Sequence, residues 1–220
     1  MTTITHPAGI TPGIGYFFAL LPNEATRLEL SLIAQRLRRA HRLDGALTAP
    51  GDMYLQLCPI GRLENPYQPM EPTLLAAGAA VRAHAFALTL DSVMRLSPVD
   101  GRHPYVLAAD DASAAAVLDL RLAIARAQVD AGLALGGATS FLPHIPLLRG
   151  PLVDAAEGPV GGVTWQVREF ALIRRFFGQL RHEVAAVWPL EPAPVVAPLT
   201  LEEELASLPD FPMPDEDEEF

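Results

Sequence analysis

The chain has 220 residues, half of them hydrophobic, and a formal net charge of −10. That length suits one domain or two small lobes sharing a cleft, and the apolar fraction supplies a sizeable core. No apolar run is long and uncharged enough to span a membrane, the N-terminus lacks the pattern of a signal peptide, and the single Cys58 excludes an intrachain disulfide, so a cytoplasmic protein is expected.

Residues 1–14 hold two prolines, two glycines and four threonines and read as a flexible arm. Tyr16 to Leu21 is a short apolar run ending at Pro22, the pattern of a buried strand. Asn23 is a good N-cap for a helix starting at Glu24. Leu28, Leu32, Ile33 and Leu37 supply its apolar face, with Arg27, Arg36, Arg38 and Arg39 on the polar side. Pro50-Gly51-Asp52 is a turn, and Met53 to Ile60 reads as a strand ending at Gly61. Alternation along it sets Leu55 and Leu57 on one face and Tyr54, Gln56 and Cys58 on the other.

A proline-rich loop follows (Pro66, Pro69, Pro72), then a small-residue helix over Thr73 to Arg82. Phe86 to Leu96 and Tyr105 to Ala109 read as strands separated by a turn. Asp110 or Asp111 caps a long helix to about Ala131, whose buried stripe is Val117, Leu120, Ile124 and Ala127. Gly132, Gly136 and Gly137 end it. Phe141 to Arg149 is an apolar stretch with a histidine inside it. Period-two geometry puts His144, Pro146 and Leu148 on one face and Ile145, Leu147 and Arg149 on the other. A Gly/Pro loop from Gly150 to Gly162 precedes a strand from Trp165 to Arg175. A tight turn at Phe176 to Gln179 and a strand from Leu180 to Trp188 close a hairpin.

After Pro189 the composition changes. Ten of the 26 acids lie in residues 191–220, with no base, which leaves 16 acids against 16 bases in the body. Every base is arginine. The tail, 191–220, reads as acidic, Pro-rich and disordered, with 199–208 a candidate acidic amphipathic helix. It is either a solubilising extension or a site for a basic partner.

The predicted order is therefore β-α-β-α-β-β-α-β-β-β, an α+β pattern with mostly antiparallel pairing over residues 15–190. It divides into two comparable halves. Each has a long helix followed by a turn-bounded strand, which suggests two lobes with helices outside and one strand each presented to a central cleft.

Four stretches in this order resemble the RNA 2′,3′-cyclic phosphodiesterase / 2′-5′ RNA ligase (LigT-like) family of the 2H phosphoesterases. Tyr16-Phe17-Phe18-Ala19-Leu20-Leu21-Pro22 looks like the family's opening strand, and Glu183 to Leu190 like its closing one. Pro50 to Gly61 and Phe141 to Arg149 lie where the family carries its two His-x-Thr strands. The resemblance implies the two-lobed 2H fold, no cofactor or metal, a monomer, and an RNA terminus or nucleotide phosphoester as ligand. In the family one histidine acts as base and the other as acid around the phosphate, while the hydroxyls hold its oxygens. Here only His144 is kept. Tyr54 occupies the first histidine position, Gln56 the first threonine and Pro146 the second threonine. Proline has neither a side-chain donor nor a backbone N–H.

The expected function is therefore a divergent member with reduced or altered phosphodiesterase activity. The alternatives are a non-catalytic nucleotide-binding or adaptor protein and a hydrolase rebuilt for another phosphoester. His144 is the residue expected to touch ligand. Tyr54 and Gln56 form either a base-stacking platform or inert filler. Arg62 and Arg149 are candidate anion ligands or ordinary exposed strand-end arginines, Arg149 being placed opposite His144 by alternation. Cys58 is either half of a Cys58–His144 nucleophile pair or a small buried hydrophobe. His182, His41 and His103 qualify as second histidines only if the fold brings them to the cleft.

Overall fold

The computed structural model describes residues 14–58, 60, 62–63, 69–135, 141–153, 156–176 and 181–193, with the side chains of Arg62 and Leu63 excepted. The arm before Ile14, the loop at Pro66, Gly136, Gly137, the turn at 177–180 and the tail after residue 193 lie outside them.

The chain runs β1 (Ile14–Leu20), α1 (Glu24–Ala40), β2 (Leu55–Cys58), β3 (Arg62–Leu63), α2 (Met70–Ala80), β4 (Phe86–Arg95), β5 (His103–Ala109) and α3 (Asp111–Asp130). It continues through β6 (Leu133–Ala134), β7 (His144–Gly150), β8 (Gly158–Val167), β9 (Glu169–Phe176) and β10 (Arg181–Pro189). Two four-stranded antiparallel sheets result. Sheet A has the order β10-β9-β1-β2 and sheet B the order β7-β5-β4-β8. This is the α+β class expected. Each candidate motif strand, β2 and β7, is an edge strand of its own sheet, and the two edges pack together.

Local chemistry starts the helices where the sequence predicts. The Asn23 side chain accepts from the Thr26 N–H at 2.9 Å, and Asp110 accepts from the Ser113 N–H at 2.7 Å. Gly132, at φ +85°, stops α3 in the left-handed conformation that glycine adopts without cost. Helices and sheets then interlock. α1 packs on β7 and β8 of sheet B, whereas α3 touches β2 of sheet A as well as β4 and β5. The stripe of α3 is buried as expected. That of α1 is met only in part, with Leu37 buried and Ile33 packed against the core as expected. Thr26, Leu30, Ala34 and Leu37 face inward, while Leu28 and Leu32 are 62% and 42% exposed. Two apolar stripes compete on this helix, and the one carrying small Thr26 and Ala34 lets it lie close to its sheet.

Other boundaries differ for topological reasons. The predicted loop 150–162 already contains β8, and the single strand predicted from Trp165 to Arg175 is two strands. They part at Arg168, because β8 pairs with β4 in sheet B while β9 pairs with β1 in sheet A. Ile14 belongs to β1, opposite Phe176, rather than to the arm. β3 and β6 form a separate ribbon, too short to carry a periodic signal.

Two irregularities matter for the site. In β2, Gln56 pairs with Ala19 and Cys58 with Phe18, so Leu57 is an extra residue. In β7, Pro146 pairs with Val106 and Leu148 with Tyr105, so Leu147 is extra. Each bulge falls on the fourth residue of its motif, Tyr54-Leu55-Gln56-Leu57 and His144-Ile145-Pro146-Leu147, and both extra leucines are buried. The halves thus match in a detail beyond element order.

The lobes are stitched by residues 45–48, just ahead of β2. Leu47 bridges Leu148 antiparallel, the Thr48 N–H donates to the Leu147 carbonyl at 2.8 Å, and the Arg149 N–H donates to the Ala46 carbonyl at 3.3 Å. Gly45 permits this approach, since a Cβ there would lie 1.3 Å from the Arg149 carbonyl oxygen. On sheet A's helix-covered face, Arg174 of β9 joins three elements. Its guanidinium grips the Glu71 carboxylate of α2 through two nitrogens and bonds Glu183 of β10 at 3.1 Å, while the Tyr16 hydroxyl donates to Glu71 at 2.6 Å.

Gly45→Ala is expected to lower stability by about 2 kcal/mol or more, because backbone rather than a movable side chain obstructs the new methyl. Gly51→Ala, whose Cβ meets nothing within 4 Å, should stay within about 0.5 kcal/mol of wild type in the same urea titration. The hydrogen bonds from Arg174, then that from Tyr16, hold the Glu71 carboxyl below its ordinary value. Its stabilisation is therefore full above the unfolded glutamate range and lost as pH falls through the lowered folded value. Glu71→Gln is expected to lower Tm near neutrality, and the gap from wild type should close as thermal melts are taken into acid.

Candidate functional site

His144 opens β7, opposite Ala108 of β5. The core side of sheet B is taken by Ile145, Leu107 and Val93, which leaves His144 and Pro146 on the other face, both half-buried. The His144 Nδ1 lies 2.7 Å from the Leu142 carbonyl oxygen. A carbonyl can only accept, so Nδ1 carries the proton and the neutral ring keeps its Nε2 lone pair free to take or return one. Pro146 sits in an edge strand, where a missing N–H is tolerated, but it brings no donor to a ligand.

On sheet A, Tyr54 and Gln56 share the face that carries Phe17, Ala19, Ala171 and Ile173. Gln56 is exposed. Tyr54 is half-buried, its ring 5.0 Å from that of Phe17 and 5.6 Å from that of His182. Small Ala19 and Ala171 leave room for these rings to lie over the sheet. Burial pushes the Tyr54 phenol above its usual value; the Arg175 charge opposes this and the Asp52 charge adds to it. Tyr54 is therefore a neutral, packed phenol that cannot act as a base near pH 7.

The bulges move two residues from their expected faces. Cys58 does not share the face of Tyr54 and Gln56. It lies in the core with Leu55 and Leu57, 4% exposed, and accepts from Gln128 Nε2 of α3 at 3.6 Å. Burial pushes its thiol up to about 12, against the Arg121 charge and the Gln128 bond. It is the small buried hydrophobe of the two readings, not a nucleophile. Arg149 is not opposite His144 either. The extra Leu147 returns it to the same outer face, exposed and paired with Pro104. Four residues of strand still lie between it and His144, a rise of about 16 Å, so the two do not converge on one phosphate. Arg62 lies in the β3–β6 ribbon, opposite Ala134.

Of the other histidines, His41 caps the C-terminus of α1. His103 starts β5 opposite Gly150, the far end of β7 from His144, with Nδ1 3.0 Å from the Leu96 carbonyl. Of these three, His182 comes beside Tyr54, with its Nδ1 3.2 Å from Asp52 Oδ1. Nothing in the spacing announces this pair, since 130 residues separate its members. Arg121 of α3 is another residue that sequence reasoning missed: its guanidinium lies 4.1 Å from the ring centroid of Phe141, just before β7. Among the described residues no cluster of three or more His, Cys, Asp or Glu side chains is arranged to hold a metal ion, and no helix is long and apolar enough to cross a membrane.

No family model and no curated protein matches the sequence. Solved structures do match. The chain is similar to Escherichia coli LigT in apo form, with a TM-score of 0.59 at 22% identity, over 82% of this chain and 98% of that one. LigT complexed with 3′-AMP superposes with a TM-score of 0.57 at 23% identity, over 82% and 99%. TT0787 of Thermus thermophilus gives 0.59 at 26% identity, over 80% and 98%. These superpositions show that the chain has the two-lobed, LigT-like fold of the 2H phosphoesterases.

Proposed function

We propose that this protein binds a nucleotide or RNA end bearing a phosphoester between the faces of Tyr54–Gln56 and His144–Pro146, with phosphodiesterase activity reduced or altered from that of a two-histidine site. The observation that carries the reading is His144, an accessible imidazole held by a backbone carbonyl so that Nε2 is the free nitrogen. It stands on the edge strand that meets the strand of Tyr54 and Gln56. The similarity to LigT, which has been solved with 3′-AMP, points to the same class of ligand.

The altered chemistry follows from the side chains. A positioned acid or base contributes about 10²–10⁴ in rate, and a packed Tyr54 supplies neither role near neutrality. Gln56, exposed on its strand, can donate from its amide to a phosphate oxygen or pair with a base edge. Pro146 cannot replace a hydroxyl. A binding protein without turnover is the second reading, favoured by these two substitutions: the site retains groups that recognise a ligand while lacking donors that stabilise the transition state.

The test uses the full chain with 3′-AMP in calorimetry and 2′,3′-cyclic AMP in a turnover assay. His144→Ala should reduce hydrolysis by about 10²-fold or more while the fold is kept, as judged by circular dichroism. Hydrolysis unaffected by that change would remove His144 from the reaction, and 3′-AMP failing to bind the wild-type chain would sink the nucleotide reading altogether.

A further inference from the structure

Asp52, Tyr54 and His182 meet on the open face of sheet A, although they come from the turn before β2 and from β10. His182 Nδ1 and Asp52 Oδ1 are 3.2 Å apart. The carboxylate only accepts, so Nδ1 carries the proton and the second nitrogen, Nε2, is left with a lone pair. That nitrogen is buried and has no hydrogen-bond partner among the described residues. The rings beside it, Phe17 at 5.9 Å and Tyr54 at 5.6 Å, stand nearly perpendicular to the imidazole. A histidine serving only as an aromatic filler needs no carboxylate, and a buried nitrogen without a partner destabilises the fold. An imidazole held by a carboxylate on one side, with a free lone pair on its other nitrogen, is instead the arrangement of a general base.

We propose that Asp52 and His182 form an acid–base pair of this site, with His182 Nε2 the group that activates water against a bound 2′,3′-cyclic phosphodiester. This rests on the phosphoester reading above. Water forms a new bond to phosphorus and one ribose oxygen–phosphorus bond breaks. His182 Nε2 takes a proton from the water, and protonated His144 Nε2 gives one to the departing ribose oxygen. A cyclic diester and water thus become a phosphomonoester, with one proton gained by His182 and one lost by His144. Asp52 acts through His182: it fixes the ring and stabilises the imidazolium formed. Tyr54 precedes the β2 ladder, so its ring can turn from Nε2 without breaking a strand bond. The charged and titratable groups facing His182 are Asp52 from the turn, Tyr54, and Arg175, its direct partner on β9.

The experiment uses the full chain, its His182→Asn and Asp52→Asn variants, 3′-AMP as ligand probe and 2′,3′-cyclic AMP as substrate. The imidazole signals of His182 should shift when 3′-AMP is added. His182→Asn should still bind 3′-AMP, lose about 10²-fold or more of the hydrolysis rate and lose one limb of the pH–rate profile. Asp52→Asn, at a half-exposed position outside the core, guards against a folding defect in the first variant and should lower the rate with binding kept. Binding of 3′-AMP that leaves the His182 signals unmoved overturns this proposal alone, as does a His182→Asn chain with the wild-type rate and profile. Wild type that binds 3′-AMP but does not turn over 2′,3′-cyclic AMP overturns this proposal and leaves the binding reading standing. Failure of wild type to bind 3′-AMP overturns the phosphoester reading, and this proposal with it.

Discussion

The site depends first on one close backbone approach. Residues 45–48 run against β7 through two backbone hydrogen bonds and the Leu47–Leu148 bridge, and Gly45 has no side-chain atom to keep them apart. From there the chain has only the turn at Pro50–Asp52 before it enters β2. The short tether fixes the edge of sheet A next to the edge of sheet B. The placement of the His144 strand against the strand of Gln56 follows from that constraint, because no single sheet carries both strands. The exchange of helices reinforces it: α1 rests on sheet B, and α3 reaches back to β2.

Much of this fold is legible in the sequence. Both long helices begin at the expected caps, because an Asx side chain satisfying a free N–H is a local event. The stripe of α3 is buried as its spacing indicates, and the two candidate motif strands stand in comparable places in the two halves. What is not legible is non-local. Leu28 and Leu32 of α1 have as good a helical spacing as Leu30 and Leu37, and only the partner sheet chooses between them. The break at Arg168 marks a change of sheet within a continuous β pattern, which alternation alone cannot reveal.

The site residues divide in the same way. Their identities at the motif positions can be read directly, but two of their faces cannot. A bulge adds one residue and reverses every later assignment by parity. Leu57 does this for Cys58 and Leu147 does it for Arg149, so the cysteine enters the core and the arginine returns to the outer face. No sequence feature distinguishes these leucines from their regularly paired neighbours. The Asp52–His182 contact is further beyond reach, since it joins the turn before one edge strand to the opposite edge of the same sheet.

Tyr54 also has a structural side. A catalytic imidazole must keep a nitrogen available, which limits how tightly it can be packed. Tyr54 has no such duty, and its ring closes an aromatic group with Phe17 and His182 over two alanines. Aromatic pairs of this kind are worth about 0.5–1.5 kcal/mol beyond their buried area. Sheet A thus gains packing at Tyr54, and the same packing raises the phenol further from the neutral range. On sheet B, His144 keeps its carbonyl-held ring at no comparable cost, because Pro146 beside it leaves the edge strand intact. The two halves match in backbone, down to the bulge, and differ in side chains: Tyr54 and Gln56 stand at one edge, His144 and Pro146 at the other.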